Sequence, residues 1–200
     1  MFISIEGGEG VGKTTLIYAL QAQHPEFVYL REPGDTPAGE AIRHLLLEQE
    51  YSAHLALRTQ ALLFAASRMQ LNHEKIIPAL QAGKVVVTDR YLSSNLVYQG
   101  LVGGLPLTYL QQINAGIRLP DHTFCLDLAP RRAQARIQQH QRATNFFDHK
   151  NLAYQERIRA GFLQLAQFND KYTVLEVADL TLSQQLEVIL SFIKPTSSAD

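Results

Sequence analysis

The 200-residue sequence has few of the features that mark membrane, secreted or nucleic-acid-binding proteins. Its one cysteine, Cys125, excludes an internal disulfide and fits a reducing compartment, and the apolar residues around it favour a buried structural thiol. No stretch approaches the roughly 18 apolar residues of a membrane span, and no export signal precedes the first apolar segment. With 18 Lys and Arg against 19 Asp and Glu, the formal net charge is -1, which argues against a general affinity for nucleic acid. We therefore expect a cytoplasmic protein with neither a membrane nor a nucleic-acid partner.

A glycine-rich stretch at residues 7–14 reads as G-x-x-x-x-G-K-[ST], the phosphate-binding loop. An apolar segment at 2–5 precedes it and apolar residues at helical spacing follow it, which is the strand–loop–helix context that the motif requires. Glycines let backbone N–H groups converge on a phosphate, and the helix start adds unpaired N–H groups. Lys13 is expected to reach the β- and γ-phosphates, and the Thr14 hydroxyl to hold Mg²⁺. The predicted triphosphate contacts are Gly7, Gly8, Glu9, Gly10, Val11, Gly12, Lys13, Thr14 and Thr15.

Four further apolar runs, at 27–30, 85–88, 123–128 and 173–177, alternate with segments of helical periodicity. This alternation predicts an α/β fold of the P-loop NTPase type, in which a five-stranded parallel sheet is flanked by helices in three layers. We expect one domain over residues 1–194, with a lid segment at about 136–150 and a flexible tail at 195–200. Glycines at 100, 103 and 104 are expected to end a helix that opens near residue 93.

In open parallel sheets ligands bind beyond the carboxyl ends of the strands. Glu9 follows the first predicted strand, residues 31–33 follow the second, and Asp89 with Arg90 follow the third. All three groups therefore fall where this rule places a site. The phosphate-binding loop alone does not separate kinases from other nucleotide-binding proteins, but the absence of an N-K-x-D motif weighs against a GTPase.

Several motifs together carry a resemblance to a known family. They are F-I-x-I-E-G-x-E-G-x-G-K-T-T at 2–15, R-E-P-G at 31–34, I-R at 42–43, L-F-A-A-S-R at 63–68, D-R-Y at 89–91, S-N at 94–95 and Y-Q-G at 98–100. The chain resembles bacterial thymidylate kinases from Phe2 to about Ile193. The resemblance implies transfer of a phosphoryl group from ATP to dTMP with Mg²⁺, giving dTDP for dTTP synthesis, and a homodimer.

The resemblance also implies roles for particular residues. Phe64 would stack on thymine and Arg68, one helical turn away, would bond to its carbonyl. Glu9 would lie near the sugar 3′-hydroxyl, Tyr98 near the 2′ position, and Asp89 would support Mg²⁺ through water. The arginines at 43 and 90 would hold the acceptor phosphate. The full set implied for dTMP binding is Glu9, Glu32, Pro33, Arg43, Phe64, Arg68, Arg90, Asn95, Tyr98 and Gln99.

Catalysis is assigned to Lys13 and Arg90 together with an arginine of the lid. In the family a catalytic arginine comes either from the phosphate-binding loop or from the lid, and this loop has none. We therefore expect the lid to supply it, from Arg142 first and Arg136 second. The sequence departs from the family at Asp35, where a second glycine is usual, and in the lid at 145–148.

Two alternatives stay open. The chain could be a kinase for another pyrimidine nucleotide or nucleoside, since the base-reading residues are assigned by resemblance. It could also be a nucleotide-binding regulatory module with impaired catalysis, since the lid departs from the family pattern. A substrate panel separates these alternatives.

Overall fold

The protein is built on a five-stranded parallel sheet, and the computed structural model describes residues 1–139, 151–167 and 169–193. The strands are β1 Phe2–Gly7, β2 Val28–Arg31, β3 Val86–Asp89, β4 His122–Asp127 and β5 Tyr172–Glu176. Their order is β2-β3-β1-β4-β5, and every neighbouring pair is parallel. The chain thus crosses over β1 on its way from β3 to β4. The predicted P-loop NTPase-type α/β fold with five parallel strands is confirmed.

Helices connect the strands and cover the sheet. They are α1 Lys13–Gln23, α2 Pro37–Leu47, α3 Gln49–Ser52, α4 Leu57–Leu71, α5 Ile77–Gln81, α6 Leu92–Asn95, α7 Leu107–Ile113, α8 Pro130–Gln139, α9 Leu152–Gln167 and α10 Leu182–Phe192. A π-helical turn at Asn72–Ile76 joins α4 to α5, and another at Leu96–Val102 continues α6. Across residues 1–139, 151–167 and 169–193, every helix is too short or too polar to cross a membrane.

The central strands are buried throughout, because helices pack on both sides of the sheet. All six residues of β1 and of β4 are buried. On one side Ile3 and Ile5 pack with Leu16 and Leu20 of α1. On the other side Cys125 packs with apolar residues of the segment after α6 and of α9. Burial raises the pKa of the Cys125 thiol to about 12, which confirms the predicted structural thiol.

The segment after β3 differs from the prediction at Gly100. This glycine was expected to break the helix, but the π-helical turn runs through it to Val102. A Cβ at Gly100 would lie only 2.7 Å from Cδ2 of Leu107 and 3.0 Å from Cδ1 of Leu110. The glycine therefore permits close packing of this segment against α7. The turn of the chain comes at Gly104, whose φ of 90° is left-handed.

The predicted lid lies largely outside the described residues. Its first residues, 136–139, form the end of α8, Pro130–Gln139. Residues 140–150 of the lid segment, residue 194 at the predicted end of the domain and the predicted tail at 195–200 lie beyond the part of the chain that the structure describes.

Candidate active site

A cavity of about 1010 Å³ opens at the carboxyl ends of the strands and contains most of the predicted site residues. The predicted residues that line it are Glu9, Gly10, Val11, Gly12, Lys13, Thr14, Thr15, Glu32, Pro33, Arg43, Phe64, Asp89, Arg90, Asn95, Tyr98, Gln99 and Arg136. Three predicted residues, Gly7, Gly8 and Arg68, lie behind this lining, and Arg142 falls outside the described residues. Residues predicted from separate motifs are thus brought to one cavity by the ends of β1, β2 and β3.

The loop from β1 to α1 has the geometry of an anion site. Gly10 and Gly12 have φ values of 72° and 106°, which glycine adopts without strain. Gly12 is the N-cap of α1, and within the described residues no side chain caps this helix. The first N–H groups of α1 and the positive end of its dipole therefore face the cavity.

Lys13 places an ammonium group across this loop. Its Nζ donates hydrogen bonds to the carbonyls of Gly7 and Gly8 at 3.1 and 2.6 Å. Burial and the neighbouring Arg90 lower the pKa of Lys13 to about 8. An incoming phosphate would favour the charged form, so binding of an anion here is coupled to uptake of a proton.

Arg90 is held by contacts to the end of β1, to the loop after it and to helix α6. Its NH2 group donates to Oε1 of Glu9 at 2.7 Å, and its NH1 group donates to the carbonyl of Gly7 at 2.9 Å and to Oγ of Ser94 at 3.0 Å. Its φ of 68° lies in the left-handed region, which non-glycine residues rarely occupy. Such backbone strain persists only where the surroundings hold it, and it concentrates at functional sites. Burial alone would lower the pKa of Arg90, but Glu9, Tyr98 and Asp89 raise it, so the guanidinium stays charged.

Glu6 lies directly behind this turn, in the interior of the sheet. Its Oε1 accepts hydrogen bonds from the backbone N–H of Tyr91 at 2.8 Å and of Ser94 at 3.3 Å, and its Oε2 accepts from Oγ of Ser94 at 2.6 Å. The Ser94 hydroxyl therefore joins the carboxylate of Glu6 to the guanidinium of Arg90. Burial raises the pKa of Glu6 to about 7, although the hydrogen bond from Ser94 and the charge of Arg90 oppose this rise.

The loop after β2 is closed by Asp35, the residue at which the sequence departs from the family. This residue has a φ of 60°, the left-handed conformation that glycine would adopt freely and that Asp tolerates better than most residues. Its Oδ2 accepts a hydrogen bond from the backbone N–H of Arg31 at 2.5 Å, which closes the loop. On the cavity side, the carbonyl of Pro33 accepts from NH1 of Arg43 at 2.7 Å and fixes that guanidinium.

Apolar and amide side chains form the wall opposite the phosphate-binding loop. Phe64 of α4 lines the cavity with Asn95, Tyr98 and Gln99 of the α6 segment. The hydroxyl of Tyr98 donates to Oε1 of Glu9 at 3.3 Å, so this wall touches the loop directly. A ring beside amide donors and acceptors is suited to a flat heterocycle.

Arg68 does not reach the cavity in this structure. Its side chain is 0% exposed, and NH2 donates to Oε2 of Glu32 at 2.9 Å. Its NH1 group donates to Oδ1 of Asn114 at 2.6 Å and to Oδ1 of Asn95 at 3.3 Å. Nε of Arg68 is buried and has no hydrogen-bond partner in the described part of the chain. The predicted contact of Arg68 with a base carbonyl stays a prediction, and the observed role is support of the wall from behind.

The residues predicted to hold Mg²⁺ fit that ion. The Thr14 side chain is exposed at the cavity, and Asp89 lines it at the end of β3. Oδ1 of Asp89 is buried without a hydrogen-bond partner among the described residues, so it is available to a metal or its water. The described residues contain no group of three or more metal-ligating side chains. The hydroxyl of Thr14 and the carboxylate of Asp89 are hard oxygen ligands of the kind that Mg²⁺ takes from proteins, one or two at a time, with water and substrate phosphates completing its shell.

Arg136 is the lid arginine that the structure describes. It lies on α8 and lines the cavity, and its NH1 group is 3.5 Å from the carbonyl of Val11 in the phosphate-binding loop. The exposed Arg131 and Arg132 are on the same helix and do not line the cavity. Arg142, the preferred prediction, cannot be compared with it because residue 142 lies outside the described residues.

Three residues of the site were not singled out from the sequence: Glu6, Ser94 and Asn114. Ser94 falls in a matched motif and lies four residues from Arg90, but its contact to Glu6 joins positions 88 residues apart, which depends on the pairing of the strands. For Glu6 the sequence held one indication, a carboxylate in the same strand as apolar residues. Burying a carboxylate is costly unless it is hydrogen-bonded, so such a residue should have partners. Asn114 carried no signal.

A phosphate-binding loop at the crossover of a parallel sheet, in a cavity that it shares with several arginines and a wall of apolar and amide side chains, defines a P-loop nucleotide-binding protein. The sequence model of the thymidylate kinase family, described as "Thymidylate kinase", matches residues 5–187. The chain belongs to the thymidylate kinase family.

Curated relatives support this assignment over the whole chain. A thymidylate kinase of Staphylococcus haemolyticus is 37% identical over 204 aligned positions, covering 96% of this chain and 98% of the relative. A thymidylate kinase of Symbiobacterium thermophilum is 42% identical over 174 positions, covering 84% and 80%. One of Chlamydia trachomatis is 40% identical over 186 positions, covering 88% and 90%. The resemblance stated from the motifs is confirmed.

We predict that Glu6→Gln removes a pH dependence of stability. Because the pKa of Glu6 is about 7 in the folded protein and near 4.5 in the unfolded chain, ionisation favours unfolding as pH rises from 4.5 to 7. Relative to the variant, the wild-type free energy of unfolding should fall by up to about 3 kcal/mol between pH 4.5 and pH 8. Urea unfolding at several pH values measures this difference. The exposed Glu50→Gln should show no such change, and parallel curves for wild type and Glu6→Gln would contradict the prediction.

Proposed function

We propose that this chain transfers the γ-phosphoryl group of ATP to dTMP, giving ADP and dTDP for dTTP synthesis. The observation that carries this proposal is one cavity that joins the phosphate-binding loop to a wall of Phe64 and amide side chains. Membership of the thymidylate kinase family supports ATP as the donor and dTMP as the acceptor. The homodimer and the cytoplasmic location stay predictions. The exposed Leu62 and Met69, seven residues apart on α4, support an apolar contact surface for the homodimer.

The chemistry requires fixed positive charge rather than a strong base. The acceptor is itself a phosphate oxyanion, so the protein contributes alignment and electrostatic stabilisation of the moving group. We assign Lys13 to the donor phosphates and the arginines at 43 and 90 to the acceptor phosphate. Arg90 suits this role because Glu9, Gly7 and Ser94 already hold it and it needs no reorganisation during transfer.

Mg²⁺ is proposed as the cofactor, held by Thr14 and, through water, by Asp89. When bound, the ion supplies charge neutralisation on the donor phosphates. These two oxygen ligands lie at the start of α1 and at the end of β3, and the carboxylate of Asp89 also stabilises the charged forms of Lys13 and Arg90.

A substrate panel tests the function. ADP release is measured with dTMP, dUMP, dCMP, UMP and thymidine as acceptors, and dTMP should give the highest kcat/KM. A higher value with another acceptor supports the alternative pyrimidine kinase. Binding of ATP and dTMP without formation of dTDP supports the regulatory module.

Lys13→Ala should lower kcat by a factor on the order of 10²–10³ and keep the fold, whereas the kcat of the exposed Lys84→Ala variant should be unchanged.

We predict that ATP affinity falls above pH 8. Because the pKa of Lys13 is about 8 in the free protein, the ammonium that must meet the phosphates is progressively lost above that value. The Kd for ATP should rise towards about tenfold per pH unit between pH 8.5 and pH 10. Isothermal titration in buffers of different ionisation enthalpy should show proton uptake on binding. A Kd that stays flat from pH 7 to pH 10 would contradict this assignment.

We predict that one lid arginine contacts the transferred group. Arg142→Ala should lower kcat by about 10³-fold with little change in KM, as expected of a contact made in the transition state. Arg136→Ala should have a smaller effect, and the exposed Arg132→Ala on the same helix should have none. If Arg136→Ala causes the larger fall in kcat, the order of the two arginines is reversed.

A further inference from the structure

Asn114 joins three of the elements behind the cavity wall, although it does not line the cavity itself. It follows the last residue of α7 and is 4% exposed. Its Oδ1 accepts from NH1 of Arg68 in α4 at 2.6 Å, and its Nδ2 donates to Oδ1 of Asn95 in α6 at 3.1 Å. Nδ2 also donates to the carbonyl of Leu110 at 2.8 Å, which fixes the amide to its own helix. Every polar atom of this side chain is thus committed.

The donor-only guanidinium of Arg68 determines which way these amides face. A guanidinium has no acceptor, so both Asn95 and Asn114 must turn their oxygens towards it. Their nitrogens must then point elsewhere, and Nδ2 of Asn95 donates to Oε1 of Gln99 at 3.0 Å. The orientation of two cavity-lining amides, those of Asn95 and Gln99, therefore follows from a buried network in which Asn114 makes the shorter bond to Arg68.

Asn114 also keeps Arg68 in place from the side opposite its carboxylate. NH2 of Arg68 is paired with Glu32, while NH1 is shared between Asn114 at 2.6 Å and Asn95 at 3.3 Å. Without Asn114, Oδ1 of Asn95 at 3.3 Å is the side-chain acceptor left to NH1 among the described residues. Asn95 would lose the second donor on its oxygen as well, so its amide could rotate and release that of Gln99.

We propose that Asn114 is a positioning residue for base selection: it fixes the amides of Asn95 and Gln99 so that the wall presents one pattern of donors and acceptors to a pyrimidine. The proposal rests on the proposed function, because it concerns how that acceptor site distinguishes bases. A fixed polar pattern separates a 4-oxo from a 4-amino pyrimidine, since the wrong base leaves a buried polar group unpaired. The same pattern does not distinguish dTMP from dUMP, because the 5-methyl group makes no hydrogen bond.

The test uses two variants of Asn114 and measures two selectivity ratios. Asn114→Leu removes all three side-chain hydrogen bonds of this residue. Asn114→Asp keeps an acceptor for Arg68, and so keeps this buried cation paired, but turns an oxygen towards the oxygen of Asn95. For both variants the ratio of kcat/KM for dTMP over dCMP should fall by at least about fivefold, mainly through KM for dTMP. KM for ATP and the ratio of dTMP over dUMP should stay within about twofold of wild type.

A matched control separates positioning from general loosening. Asn72 is also a buried amide beside Arg68, but it bonds to the Arg68 carbonyl, the Tyr91 hydroxyl and the Arg118 N–H rather than to Asn95. Asn72→Leu should lower Tm and leave the dTMP over dCMP ratio unchanged.

The outcomes distinguish the inference from the function on which it rests. Wild type that phosphorylates dTMP, with an unchanged dTMP over dCMP ratio in folded Asn114→Asp, overturns the inference alone. A parallel fall of the dTMP over dUMP ratio also overturns it, since that pattern reflects a loosened wall. If Asn114→Leu does not fold, Asn114→Asp decides by itself. Wild type that does not phosphorylate dTMP overturns the proposed function.

Discussion

The ion pair between Arg90 and Glu9 connects the end of β3 to the loop after β1. These two strands are neighbours in the sheet. Arg90 reaches this position only because its backbone is left-handed, a conformation that costs free energy. Glu6 offsets that cost by accepting two backbone N–H groups of the same turn, and the hydroxyl of Ser94 links the two side chains. Phosphoryl transfer needs charge that is already in place, and this arrangement holds it there before any substrate arrives.

The parts of the site that the sequence predicts are those that depend on short stretches of chain. The phosphate-binding loop is contiguous, and the strand-end rule then brings Glu32, Asp89 and Arg90 to the same edge without further information. The supporting contacts are different in kind. Glu6 and Ser94 are 88 residues apart, and Asn114 lies 46 residues from Arg68. No sequence motif marks these pairs, because the packing of the fold and not the spacing along the chain determines which residues meet.

The positions of Gly100 and Asp35 also show what the sequence alone does not predict. Gly100 was interpreted as a helix breaker, yet its function is to leave room for Leu107 and Leu110. Asp35 was noted as a departure from the family, yet it adopts the left-handed conformation and closes its loop with its own carboxylate. Residue type alone does not tell whether a position needs conformational freedom or small volume. Only the neighbours across the fold separate the two requirements.

The loop after β2 supports two separate parts of the cavity, the amide wall and Arg43. Glu32 pairs with Arg68 behind the amide wall, while the next residue, Pro33, holds Arg43 through its carbonyl. The wall and Arg43, the arginine proposed for the acceptor phosphate, are therefore held by adjacent residues of one short loop. A shift of this loop would displace both of them. If the proposed roles hold, the same loop would align the base and the phosphate of the acceptor, because it supports the contacts to both.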